Sequence, residues 1–420
     1  MLTRHIRELV NDPRPLDTVV AAASPATRAI LERALCAHEL SVAEGVHLLG
    51  VTGADLAALV KTADHVRACD AGNEVTYVIN RNINWTNICF VGCQFCAFAR
   101  LRNDQEAYNH DADYVLDKVQ DALARGATEI CMQGGINPEM DAFEYRDMLV
   151  AIKARFPQIH IHAYSPMEIM YGARRTGMSY NDYIRMLRDA GLGTIPGTAA
   201  EILDDQVREV LSHKKVSVST WREIITTAHR LGVRTSSTLM YGHIEQPEHV
   251  ARHLELIRSI QKETGGFTEF VPLRFIHTYT KLYQKGLVNP PPKGAVDLRM
   301  YACARLLLRG AIDNIQTSWV KLGTELAQLT LAAGCNDFGG TLMEESISRL
   351  AGADAGEYLP VGEIRALIAG MGRIPVQRTT TYGRLEATGA GESNGRQETS
   401  DRAGWRSGRG ALAAGPALPS

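Results

Sequence analysis

Cys89, Cys93 and Cys96 fall within eight residues of one another, in the stretch INWTNICFVGCQFCAF of residues 83–98. The remaining cysteines, Cys36, Cys69, Cys131, Cys303 and Cys335, lie singly and far apart. A C-x3-C-x2-C spacing puts three thiolates on one short loop. That is enough to hold three corners of a 4Fe–4S cubane, and Gly92 lets the backbone turn closely around it. Three thiolates leave the fourth iron without a protein ligand, and an open iron is a place for chemistry.

Other uses of three thiols fit less well. A structural zinc site wants a fourth ligand in paired spacing, and no second C-x2-C or nearby H-x3-H occurs. A ferredoxin-type electron carrier uses four cysteines, and no fourth follows the loop. Cys131, two residues before Gln133, reads as a small buried hydrophobe in a strand, since a fourth thiolate would close the iron. Kept open, that iron can chelate the amino and carboxylate groups of S-adenosylmethionine and pass it one electron.

Such a loop needs a scaffold, and the sequence supplies one. From about residue 75 to 345, short β-rich runs alternate with amphipathic stretches, the βαβα signature of a parallel sheet. Eight candidate strands are TYVINRNINWTN, EICMQGG, HIHAYS, GTIPGT, RTSSTLMYG, TEFVPLRFIH, NIQTSWV and NDFGGTL. Most centres lie roughly 30 to 47 residues apart, the length of one strand plus one crossover helix. Eight units predict a (β/α)8 TIM barrel, with its chemistry at the C-terminal ends of the strands and the cysteines just past the first. An open doubly wound sheet is the alternative.

The sequence divides into an N-terminal helical segment (1–74), the barrel (75–345), a C-terminal helical extension with an extended end (346–383) and a tail (384–420). The tail is rich in Gly, Ala, Ser and Arg without periodicity, which predicts disorder. With 45 Lys+Arg against 47 Asp+Glu, formal net charge -2, there is no basic field for nucleic acid. The start has no secretory h-region, no run of apolar residues would span a bilayer, and the scattered thiols suit a reducing compartment. The expectation is a cytoplasmic protein without a membrane partner.

The loop, with Phe95 as the aromatic of C-x3-C-x-aromatic-C, resembles the radical S-adenosylmethionine superfamily. Further stretches extend the likeness: "EICMQGGINPEM", "HIHAYSPMEI", "GLGTIPGTAAEILDD", "TSSTLMYGHIE", "TGGFTEFVPLRFIH", "NIQTSWVKLG", "NDFGGTLMEESISRLAG" and "RTTTYG". Across roughly residues 40 to 383 the chain resembles one family within it. That family is the CofH-type, tyrosine 4-hydroxybenzyl-transferring subunit of the synthase that makes the deazaflavin (Fo) chromophore of the factor-420 coenzyme. A futalosine enzyme of menaquinone biosynthesis is the nearest alternative, being similar around the cysteine loop and "NDFGGTLMEE".

The resemblance implies a reaction. The cluster cleaves S-adenosylmethionine, the co-substrate, to methionine and a 5'-deoxyadenosyl radical, which takes a hydrogen atom from the L-tyrosine amine. The Cα–Cβ bond breaks, releasing 2-iminoacetate, and the 4-hydroxybenzyl radical adds to 5-amino-6-(D-ribitylamino)uracil. A protein reductant and a companion radical enzyme that closes the deazaflavin ring are implied as partners.

Site residues follow from the same likeness. Phe95 would lie against the adenine, and Gln133, Gly134 and Gly135 would meet the methionyl amine, although an ordinary βα turn also needs glycine. Glu201, in PGTAAEI, would accept from the ribose hydroxyls, or simply sit as a carboxylate at a helix start. Substrate candidates at strand ends are His162, Tyr164, Glu168, Arg274, His277, Trp319 and Lys321. Each has a plainer reading as a satisfied core residue or a solvated cation.

Overall fold

The computed structural model describes residues 4–141 and 143–385, which belong to one compact unit. Of the tail expected from residue 384, only Arg384 and Leu385 lie within the described residues.

Five helices lead the chain: α1 (Arg4–Val10), α2 (Leu16–Ala21), α3 (Pro25–Leu35), α4 (Val42–Gly50) and α5 (Gly53–Ala71). Their starts are written locally. Ser24 caps α3 ahead of Pro25, and Ser41 forms a reciprocal capping box with Glu44 at α4. Leu56, Leu59, Val60, Ala63 and Val66 recur at helical spacing and bury one side of α5. That helix packs on the helix Ala295–Leu307 of the barrel wall, so the preface is part of the same core.

The strands are β1 (Glu74–Val78), β2 (Asn80–Ile83), β3 (Glu129–Met132), β4 (His160–Ala163), β5 (Thr194–Ile195), β6 (Arg234–Tyr241), β7 (Phe267–Arg274), β8 (Asp337–Gly340) and β9 (Ile374–Gln377). β2 to β7 pair in order and in parallel, while β8, β1 and β9 form a second parallel set. Only Ile79 separates β1 from β2, so the two sets share a nearly continuous stave. Single bridges at Phe270–Ile315 and Gln316–Asp337 carry the ring from β7 to β8. The eight-stave order expected for the barrel is thus present.

Two elements differ from the sequence reading. NIQTSWV contributes bridges only at Ile315 and Gln316, and the chain then enters a short helix, Trp319–Leu322, closed by Gly323 at φ 85°. Trp319 turns inward there and donates from Nε1 to the Gly340 carbonyl at 2.8 Å, tying the seventh stave to β8. The extended end beyond residue 370 becomes β9, which pairs Glu74–Tyr77 with Ile374–Gln377 along β1. The residues that follow β9, from Arg378 to Tyr382, pass beneath the barrel. Among the described residues no helix is long and apolar enough to cross a membrane.

Candidate active site

A cavity of about 410 Å³ fills the barrel, with a wall drawn from most of its staves. Its open end carries the cysteine loop. Cys89, Cys93 and Cys96 all line it, with Gly92 between the first two at φ 72°. Backbone N–H groups of Ile136 and Val91 face the Cys89 sulfur and favour its thiolate, whereas burial raises it. Burial also pushes the Cys93 thiol up to about 12, with nearby Lys215 opposing. Burial thus favours the protonated forms of Cys89 and Cys93, and a metal would have to displace those protons. Among the described residues no three Cys, His, Asp or Glu side chains gather round a single ion position. A cubane asks for something else, since each thiolate binds its own iron. Three thiols on one wall of one cavity, backed by peptide N–H donors, fit such a cluster.

Gln133, Gly134 and Gly135 follow β3 and lie against this loop. A Cβ on Gly135 would come within 2.2 Å of the Ile88 carbonyl oxygen, and one on Gly134 within 2.9 Å of Trp85 Nε1. Gly135 N donates to Thr86 O at 2.8 Å and Phe90 N to Ile136 O at 3.2 Å, so the glycine turn clamps the cysteine loop. Close approach requires these glycines. The turn is itself fixed by Glu168, which accepts from Gly134 N at 3.1 Å and caps its own helix through Ser165. Burial lifts Glu168 to about 7.

Phe95 and Glu201 also line the cavity, joined by a residue that sequence reading passed over. Lys215 lies 5.1 Å over the Phe95 ring and donates to Glu201 at 2.6 Å, while Arg208 approaches the same carboxylate at 3.5 Å. Burial works against the Lys215 charge, but Glu201 more than compensates and raises it. In the sequence HKKVS nothing sets this lysine apart from a solvated charge. Its environment comes from the fold.

The substrate candidates divide. His162, Glu168, Arg274 and Lys321 reach the cavity. Arg274 is committed to Asp297 at 2.6 Å. Lys321 is half-buried, its charge disfavoured by desolvation and favoured by nearby Glu345, with which it forms no ion pair. Tyr164, Trp319 and His277 do not line the cavity. Tyr164 donates to the Tyr145 carbonyl at 2.8 Å within the layer behind β4, and Trp319 is the brace already described. His277 packs against Tyr283, with ring centroids 4.6 Å apart, on the outer rim.

The opposite end of the cavity holds what the sequence did not single out: Asn80, Glu129, Glu269, Gln316 and Arg378. Arg378 donates to Asp337 at 3.0 Å and Glu269 at 3.3 Å, and Tyr382 donates to Glu269. Burial raises Glu269 to about 7 despite the guanidinium beside it. Charged residues inside strand patterns, as in TEFVPLRF, were the available signal.

Residues 83–257 match the radical SAM superfamily and residues 264–390 the CofH/MqnC C-terminal region. Members of that superfamily use a 4Fe–4S cluster and S-adenosylmethionine. A 5-amino-6-(D-ribitylamino)uracil–L-tyrosine 4-hydroxyphenyl transferase of Methanothermobacter thermautotrophicus is 48% identical over 360 residues, 86% of this chain and 98% of that one. An FO synthase of Mycobacterium tuberculosis is 49% identical over 388 residues, but the chain spans only 44% of its length. Methylornithine synthase (TM-score 0.65, 16% identity, covering 82% of this chain and 97% of that one) shares the fold. So does the maturase HydG of Carboxydothermus hydrogenoformans (TM-score 0.66, 14% identity, 90% and 87%). With the cysteine loop, the barrel and these likenesses together, the chain belongs to the 5-amino-6-(D-ribitylamino)uracil–L-tyrosine 4-hydroxyphenyl transferase family of radical S-adenosylmethionine enzymes.

Proposed function

We propose that this enzyme breaks the Cα–Cβ bond of L-tyrosine and joins the 4-hydroxybenzyl fragment to 5-amino-6-(D-ribitylamino)uracil. It does so in the deazaflavin branch to which the FO synthases belong. The observation that carries this reading is a single cavity with the cysteine loop at one end and a cluster of polar and charged side chains at the other.

A cluster held by Cys89, Cys93 and Cys96 supplies reductive cleavage of S-adenosylmethionine, which starts the radical chemistry. The protein's share is binding and exclusion. Gln133, Gly134 and Gly135 present backbone to the nucleotide's methionyl end, while Phe95, Lys215 and Glu201 flank its adenosine. Lys321, a half-buried cation with no ion pair among the described residues, offers a counter-charge for the tyrosine carboxylate. Between the two ends, Met240, Val271, Leu273 and Val320 give an apolar wall that keeps water from the reacting carbons. Holding three reactants in register is where such a site earns its rate.

The proposal includes an external one-electron reductant and a companion enzyme for ring closure, for which the unmatched length of the FO synthases gives room. The test is anaerobic incubation of the reconstituted enzyme with S-adenosylmethionine, reductant, tyrosine and the ribitylaminouracil. The expected outcome is 5'-deoxyadenosine together with a coupled product that keeps the phenol ring. Turnover only with a futalosine-type substrate would overturn the reading.

A further inference from the structure

We infer that the closed end of the cavity is a polyol subsite, in which Glu129, His162 and Glu269 hold the ribityl hydroxyls of the uracil substrate. This deepens the reaction proposed above and rests on it.

The interior of a TIM barrel is ordinarily filled by layers of branched apolar side chains. Here the layer nearest the strand starts is built from Asn80, Glu129, Glu269, Gln316 and Arg378, all facing one cavity. Burying ionised groups costs several kcal/mol each before compensation, so packing alone does not account for them. Part of the set is satisfied internally. Arg378 lies 4.1 Å over the Tyr382 ring and binds Asp337 and Glu269, and Asn80 Nδ2 donates to Glu129 Oε1 at 2.8 Å.

The satisfaction is one-sided. Arg378, Tyr382 and the Gln316 amide, turned with its nitrogen toward the acids, all donate to Glu269 Oε2, leaving Oε1 without a donor among the described residues. His162 is 9% exposed and bonds through Nδ1 to Thr194 Oγ1 at 2.7 Å, while its Nε2 meets no protein group among the described residues. Asn82 Oδ1, on the same wall, is buried without a partner among the described residues. A polar atom buried this way, as Asn82 Oδ1 is, is costly unless a ligand answers it, and Glu269 Oε1 and His162 Nε2 belong to side chains lining the same cavity.

The chemistry of that ligand is narrow. Carboxylates on the wall demand donors, and an imidazole held neutral by burial offers whichever role its tautomer leaves. Three acids, Glu129, Glu269 and Asp337, face one guanidinium, so a phosphate or carboxylate would be repelled. A chain of neighbouring hydroxyls donates and accepts at short intervals and carries no charge. Position agrees as well. Glu129 and Gln133 are four residues apart along β3, roughly 13 Å at strand rise, so a polyol at the floor leaves its ring midway toward the nucleotide end. Glu269, Gln316, Asp337 and Arg378 all come from the region matching the CofH/MqnC C-terminal profile rather than the general superfamily profile.

The reconstituted holoenzyme tests this with two acceptors, 5-amino-6-(D-ribitylamino)uracil and 5,6-diaminouracil, which lacks the polyol. The wild type should prefer the ribityl compound in KM by at least tenfold. Glu269→Gln should erase most of that preference, raising KM for the ribityl compound about tenfold while KM for tyrosine and for 5,6-diaminouracil moves less than threefold. His162→Gln should act in the same direction and serves if Glu269→Gln does not fold. Product formation by a wild type that does not distinguish the two acceptors would overturn the subsite alone. So would variants whose tyrosine and acceptor KM values rise together. A wild type that couples neither acceptor to tyrosine would overturn the reaction beneath it.

Discussion

At the cysteine end of the barrel a lysine, Lys215, is held between an aromatic face and a carboxylate on a neighbouring loop. At the opposite end an arginine, Arg378, is held between an aromatic face and two carboxylates on strands. The motif is the same and the support is not. Lys215 and Glu201 belong to loops. Arg378, by contrast, follows a strand paired to β1, and its partners Asp337 and Glu269 sit within β8 and β7. Loops suit groups that must adapt to a reacting cofactor, and strands suit groups that measure one shape. On the proposed function, the first end serves cleavage of the nucleotide and the second the choice of acceptor.

Four substitutions probe that contrast. Cys93→Ala should abolish S-adenosylmethionine cleavage, read as 5'-deoxyadenosine, while the thermal unfolding midpoint stays near wild type. Residual turnover at wild-type rate would remove the open-cluster assignment. At the floor, Arg378→Met strands Asp337 and Glu269 without their cation. It should cost about 3–5 kcal/mol of unfolding free energy in denaturant titrations; a loss near that of an exposed arginine would show the floor to be soft.

Glu269 gives a pH signature. Its carboxyl rises from the usual 4.5 to about 7 in the folded chain. The fold therefore binds its proton more tightly than the unfolded chain does. That stabilisation is complete below about 4.5 and is lost as pH climbs through 7. Relative to Glu269→Gln, the wild type should lose at most about 3 kcal/mol over that window, measured as the difference between two stability-against-pH curves. Buried His162, depressed to about 4, runs the other way and cancels in the difference. The smallest effect is at the mouth. Lys215→Met keeps the side chain over Phe95 but leaves Glu201 with Arg208 alone, and should raise KM for S-adenosylmethionine about tenfold, some 1.4 kcal/mol. A change confined to the acceptor's KM would undo the separation of the two ends.

How much of this was legible depended on distance along the chain. The cysteine loop was readable because its ligands lie within eight residues and their spacing is itself chemical information. The staves were readable because period-two and helical patterns are local. The floor was not, because Glu129, Glu269, Gln316, Asp337 and Arg378 meet only when the sheet closes and β9 adds to β1. No single segment carries their pattern. Trp319 misled for a related reason: a tryptophan at a strand end resembles a ligand platform until the short helix after it turns the ring toward the Gly340 carbonyl. Lys215 was missed because a charge beside another lysine reads as surface, and only the partner loop buries it.

Arg378 and Thr380, in the segment after β9, line the same cavity as the cysteine loop. A ligand seated against that segment would lie beneath anything bound nearer the cysteines, and the deeper one would then have to enter first. On the proposed reaction, loading would be sequential, the acceptor first and the sulfonium nucleotide last.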